Sequence, residues 1–117
     1  MSPLQIAIVG LGNVGSGVAR ILTNHADTIA RRAGRPIVIR RAIVRDLSRD
    51  RGITLPKGVV TDDLESVISD PNIEVVAQLM GGLEPARTVM LRLLEAGKNI
   101  VTANKALLCE HGDEIFA

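Results

Sequence analysis

Aromatic side chains are almost missing from this sequence: Phe116 is the single one among 117 residues, with no Trp and no Tyr. Modules that stack nucleic-acid bases on exposed rings are excluded on that ground. Cysteine is equally scarce. The lone Cys109 rules out an intramolecular disulfide framework and any Cys-cluster metal site. Neither sign of charge dominates. Fourteen Lys+Arg stand against 13 Asp+Glu, a net of +1, so the one-signed field that gathers nucleic acid or an anionic membrane is missing. No apolar run approaches the length of a membrane span. Met1-Ser2-Pro3-Leu4-Gln5 has no basic stretch and leads straight into a strand-like run, so no signal peptide is expected. What is present is apolar residues, 46% of the chain, enough for a packed core rather than disorder. The expectation is one soluble, cytoplasmic globular domain over residues 1–117.

The chain reads as strand, glycine turn and helix, repeated. Gln5–Val9 is an apolar run suited to burial on both faces of a parallel sheet, and it ends at Gly10. From Asn13 the period changes. Val14, Val18, Ile21 and Leu22 share one helical face, and Ala26, Ile29, Ala30 and Ala33 prolong the stripe. A helix is therefore expected from Asn13 to near Gly34, with Pro36 barring its continuation. Ile37–Val44 is the second strand, Arg45–Lys57 a polar loop, and Val59-Val60 a very short strand. Asp62 with Glu65 resembles a capping box opening a short helix with Leu64, Val67 and Ile68 inward. Glu74–Met80 is a further buried strand, closed by Gly81-Gly82. Pro85 opens a helix whose apolar face is Ala86, Val89, Met90, Leu93 and Leu94, and Gly97 stops it. Asn99–Thr102 is the last strand, after which Asn104 would cap a helix with Leu107 and Leu108 inward. This alternation implies right-handed crossovers and an α/β fold, a doubly wound parallel sheet with helices on both faces. Ligands of such sheets bind at the carboxyl ends of the strands. Three segments lie there: Gly10–Gly15, Leu79–Gly82 and Thr102–Lys105.

Gly10-Leu11-Gly12-Asn13-Val14-Gly15 has the spacing G-x-G-x-x-G. Set between an apolar strand and an amphipathic helix, it is the Rossmann-type dinucleotide turn. The first glycine makes the tight turn, the second admits a pyrophosphate to the backbone, and the third lets helix and strand pack closely. The helix N-terminus then offers free N–H groups to the phosphates. No Gly-Lys-Ser/Thr follows, which disfavours a nucleoside-triphosphate loop. Flavin fits less well, since it calls for a larger domain. The end of the second strand should select the dinucleotide, an acid holding the ribose 2′-hydroxyl of NAD and a base the 2′-phosphate of NADP. Arg45 and then Asp46 stand there, so the signals conflict. Arg41, Arg49, Arg51 and Lys57 make the neighbourhood basic, and NADP is preferred over NAD, with Arg45 and Lys57 as candidate phosphate ligands. Met80, Gly81 and Gly82 are placed to meet the nicotinamide-bearing ribose. Thr102, Ala103, Asn104 and Lys105 form the most reactive-looking segment. A lysine at a helix start opposes the macrodipole, which singles Lys105 out as a candidate catalytic cation for a carbonyl or carboxylate.

Taken together, these residues resemble homoserine dehydrogenase at its nucleotide-binding end. The likeness rests on Ile8–Gly17, Ala33–Ile37, Val44-Arg45-Asp46, Leu79–Ala86, Glu95–Lys98, Val101–Leu108 and Glu110-His111-Gly112. Gln78 stands where the family more often has Glu, and Cys109 where Ala is common. The resemblance implies an oxidoreductase interconverting homoserine and aspartate semialdehyde with NAD(P)(H), on the route to threonine and methionine. It implies that Lys105 lies near the substrate, that Arg45 meets the adenosine phosphate, and that the whole enzyme is a homo-oligomer with no nucleic-acid or membrane partner. The family's substrate-binding Asp and Lys belong to a following catalytic domain. Ile115-Phe116-Ala117 ends inside a helical pattern without a stop signal, so the chain is expected to be the cofactor-binding part of a longer enzyme, inactive on its own. The competing readings are a non-enzymatic nucleotide-sensing module and the first domain of aspartate dehydrogenase or dihydrodipicolinate reductase. His25 and His111 are read as solvated or capping residues, Cys109 as a small packing residue, and Asp62, Asp63 and Glu65 as helix caps rather than metal ligands.

Overall fold

The computed structural model describes residues 3–45, 47, 55–56, 58–81, 84–102, 104, 109–110, 112–113 and 115, the side chain of Asn13 excepted. Its strands are β1 (Leu4–Val9), β2 (Ile37–Ile43), β3 (Val60–Thr61), β4 (Ile73–Gln78) and β5 (Asn99–Thr102). All pair in parallel, in the order β3-β2-β1-β4-β5. The order reverses beside β1, the strand that feeds the glycine turn. In an open α/β sheet that reversal opens a crevice at the carboxyl edge.

β1 is central, and its alternation splits the core in two. Ala7 and Val9 face a cluster with Val67, Val76 and Leu93, while Ile8 faces one with Leu11, Ala19, Ala42 and Val44. The first face is covered by α3 (Glu65–Ile68) and α4 (Ala86–Glu95), the second by α1 (Asn13–Asn24).

The long helix expected up to Gly34 is two helices. α1 gives way at His25 (φ −119°, ψ 30°) to α2 (Ala26–Ala33). Gly34, at φ +80°, ends α2 as expected. The inward face of α1 is only partly the expected one. Val14 and Ile21 are more than half exposed, whereas Ala19 and Ser16 are buried. Val18 does pack inward as expected, beside Ile8 and Ala19, while Ser16 and Ala19 take the closest places, where the start of α1 comes so near β1 that a Cβ on Gly15 would overlap Gly10. In α4, Ala86, Met90 and Leu93 are buried as expected, but Leu94 is exposed. Gly97 closes α4 in a Schellman motif, its N–H bonding to Leu94 O and that of Lys98 to Leu93 O.

Two capping expectations change. Asp63, not Asp62, serves α3: its Oδ1 accepts from Glu65 N at 3.1 Å. Glu65 pairs with Arg92 of α4 instead of reaching back in a capping box. At α4, Glu84 accepts from both Thr88 N–H and Thr88 Oγ1, which supplies the acceptor that Pro85 lacks. Those bonds to Thr88 hold the Glu84 carboxyl below its ordinary pKa. Cys109 is exposed rather than packed.

The amino edge of the sheet carries a polar staple. Arg40 on β2 donates to Asp70 and to Gln5 Oε1, and Lys98 Nζ donates to the carbonyls of Asp70 (2.6 Å) and Ile73 (2.9 Å). The Arg40 hydrogen bond, followed by Asn72 N–H, holds the Asp70 carboxyl below 3.8. A depressed folded-state pKa stabilises above the unfolded value and is lost as pH falls through the folded one. Asp70→Asn keeps the acceptor for Asn72 and loses the charge. It is expected to lower the melting temperature at neutral pH and to converge on wild type well below pH 3.8. A gap that stayed constant with pH in thermal melts would contradict this account.

Candidate functional site

The turn leaving β1 is built on three contacts. Gly10 sits at φ +99°, and a Cβ there would lie 2.9 Å from Met80 N, so the ends of β1 and β4 meet only because a hydrogen occupies that place. A Cβ on Gly15 would overlap the Gly10 carbonyl oxygen outright, with the Gly10 carbonyl carbon 2.8 Å away. Ser16 Oγ donates to Leu11 O at 2.7 Å and is buried, which pins the turn from inside. Sequence reasoning passed over this serine. Its position one residue after the last glycine, on the sheet side of the helix, was the available signal.

Gly12 differs from its neighbours. It is exposed, its backbone is extended (φ −75°, ψ −155°), and a Cβ there would meet nothing within 4 Å. It is the N-cap of α1 and gives no side-chain cap, and the first turn carries no acid. The place of a Gly12 side chain, at the leading end of the helix, is therefore open. This fits a diphosphate, which needs donors, a positive dipole end and clearance. Leu11 is buried beneath the turn, and Val14 points outward.

The other two strand ends are tied to this one. Leu79 N donates to Val9 O at 2.9 Å, and Asn104 Nδ2 donates to Met80 O at 3.0 Å. Thr102 Oγ1 donates to Gln78 Oε1 at 3.3 Å and accepts from Asn104 N at 3.1 Å. The structure thus brings Gly10–Gly15, Met80-Gly81, Thr102 and Asn104 to one edge. Asn104, expected both as a helix cap and as part of the reactive-looking segment, has its amide on the β4 turn. Lys57, Gly82, Ala103 and Lys105 lie outside the described residues, as do Asp46, Arg49, Arg51, Leu107, Leu108 and His111.

A cavity of about 330 Å³ opens on the α3/α4 side of this edge. Val9, Val44, Leu64 and Val89 are among its apolar walls, and Arg45 and Asp62 are its charged residues among those described. Arg45 is exposed just beyond β2. Arg41, part of the basic stretch expected near the phosphate, is instead held by the carbonyls of Arg40 and Gly58. His25 is exposed at the α1–α2 junction. No cluster of three metal-ligating side chains occurs among the described residues, and no helix among them is long and apolar enough to cross a membrane.

A five-stranded parallel sheet in this order, with a glycine turn at the switch point and a bare helix N-terminus over it, defines a Rossmann-type dinucleotide-binding domain. Residues 10–117 match the family described as homoserine dehydrogenase, NAD binding domain, and the chain belongs to that family. It is 38% identical over its whole length to homoserine dehydrogenase of Bacillus subtilis, covering 27% of that protein. It is 44% identical over 97% of its length to that of Mycobacterium bovis, covering 25%. The crystal structure of a homoserine dehydrogenase from Thiobacillus denitrificans superposes with a TM-score of 0.87 at 43% identity, over 99% of this chain and 27% of that one. The chain therefore spans about a quarter of the length of these relatives, and its cofactor class is a nicotinamide dinucleotide.

Proposed function

We propose that this chain is the cofactor-holding part of an enzyme that interconverts homoserine and aspartate semialdehyde, on the route to threonine and methionine, and that it prefers NADP(H) to NAD(H). The observation that carries the reading is the open N-cap of α1 at Gly12, set at the switch point of a sheet whose family is established. When bound, the nicotinamide supplies the hydride that passes to or from the substrate carbon. The chain's own residues do the rest. The N–H groups at the start of α1 take the diphosphate. The Met80-Gly81 turn and the Thr102–Asn104 tie, joined by the Asn104–Met80 bond, form the floor beneath the reacting half and orient it. Lys105, next in the chain after Asn104, is the cation assigned to polarise the substrate carbonyl.

The NADP preference is supported by Arg45, an exposed guanidinium lining the cavity just past β2. A charge-assisted bond to a 2′-phosphate contributes about 1.5–3 kcal/mol. Arg45→Ala is therefore expected to weaken NADPH binding roughly ten- to a hundredfold, with NADH changed by less than about twofold. Calorimetric titration of both dinucleotides tests it. Equal losses for the two would withdraw the preference, and tighter binding of NADH to the unaltered chain would reverse it.

A further inference from the structure

We infer that Gln78 is a positioning residue for the nicotinamide half of the cofactor, acting through Thr102. The inference rests on the reading that these strand ends hold a nicotinamide dinucleotide. Gln78 is the last residue of β4 and is fully buried. Its Oε1 accepts from Thr102 Oγ1 at 3.3 Å, while Nε2 of the same amide is buried with no partner. The other buried polar side chains described, Ser16, Lys98 and Asn104, are all hydrogen-bonded.

A half-satisfied amide is a costly way to fill this place. A buried donor without an acceptor costs about 1–3 kcal/mol, and an unbranched apolar side chain of similar volume would avoid that. Local rules are broken in this way where a group serves something other than packing. Here the polar service is visible. Gln78 anchors Thr102, the Thr102 hydroxyl accepts from Asn104 N, and Asn104 Nδ2 reaches Met80 O. The bonds close a ring between the ends of β4 and β5. The diphosphate turn and Arg45 follow β1 and β2 rather than β4 and β5, and they meet the ring at Met80. Loosening Gln78 should therefore let the nicotinamide floor drift while the adenosine half stays held.

The test compares NADPH with 2′-phospho-ADP-ribose, which lacks only the nicotinamide, by calorimetry on the full 117-residue chain. Gln78→Met is expected to weaken NADPH about fivefold or more and to leave 2′-phospho-ADP-ribose within about twofold. Thr102→Val removes that same bond and also the acceptor for Asn104 N, so it should show the same signature at least as strongly, and the double variant should bind no worse than Thr102→Val alone, because the Gln78–Thr102 bond is common to both. A parallel loss for both ligands, as general damage to the fold would give, overturns the inference. So does no loss for either, or additive losses in the double variant. Should Gln78→Met fail to fold, Thr102→Val and Gln78→Glu carry the test. The glutamate keeps the acceptor for Thr102, so it should hold NADPH within about twofold while Thr102→Val does not, and equal behaviour of the two overturns the proposal. If the unaltered chain binds neither ligand, the cofactor reading fails and takes this inference with it. If it binds both and the variants change nothing, only the inference fails.

Discussion

Gly12→Asp is expected to abolish dinucleotide binding while leaving the fold as stable as before or slightly more so. The position tolerates a side chain, since its backbone is extended and an added Cβ meets nothing within 4 Å. Aspartate is also a better N-cap than glycine by a few tenths of a kcal/mol, and it suits the positive end of the helix. Its carboxylate would satisfy the same N–H groups the diphosphate needs and would repel that diphosphate. Two unit charges 4 Å apart at a surface-like dielectric oppose each other by about 4 kcal/mol, roughly a thousandfold in Kd. Thermal melts and NADPH titration of the same preparation check both halves. Undiminished binding would place the phosphates somewhere other than this turn.

Gly15→Ala should do the opposite, striking the fold first. The added methyl carbon overlaps the Gly10 carbonyl oxygen, and both partners belong to the turn itself, so no side-chain rotation relieves it. α1 must lift from β1, opening the cluster of Ile8, Leu11 and Ala19. Forced overpacking of this kind costs about 3 kcal/mol or more. In a domain of this size that is a fall of roughly 10–20 °C in melting temperature. A melting temperature within a degree or two of wild type would mean that helix and strand are less closely packed than described. The two glycines lie three residues apart in one motif, yet one variant should lose ligand with the fold kept and the other should lose the fold itself. The difference is only in what a Cβ would meet.

The motif and the element order were legible because their determinants are local. A G-x-G-x-x-G between a β-branched run and a helical stripe announces its own turn, and the stop of α4 at Gly97 uses bonds spanning a few residues. The face that α1 presents was partly misread for the same reason. Periodicity marks where apolar residues recur, and Val18 packs inward as it indicates, but Val14 and Ile21 are exposed while Ser16 and Ala19 are buried. The capping box at Asp62 and Glu65 failed similarly, because Arg92, far along the chain, engages Glu65.

By itself, then, the sequence determined the alternation of strands and helices, the glycine turn and the kind of molecule that turn receives, since each follows from spacing within a dozen residues. Only the tertiary structure decided that Gln78, Thr102, Asn104 and Met80 share one ring of hydrogen bonds, that Arg40, Asp70 and Lys98 staple the opposite edge, and that Arg45 faces the same cavity as Asp62. Those groupings depend on which strands lie side by side. Residues far apart in the chain become neighbours through the crossovers of the sheet, and no local pattern of side chains encodes that adjacency.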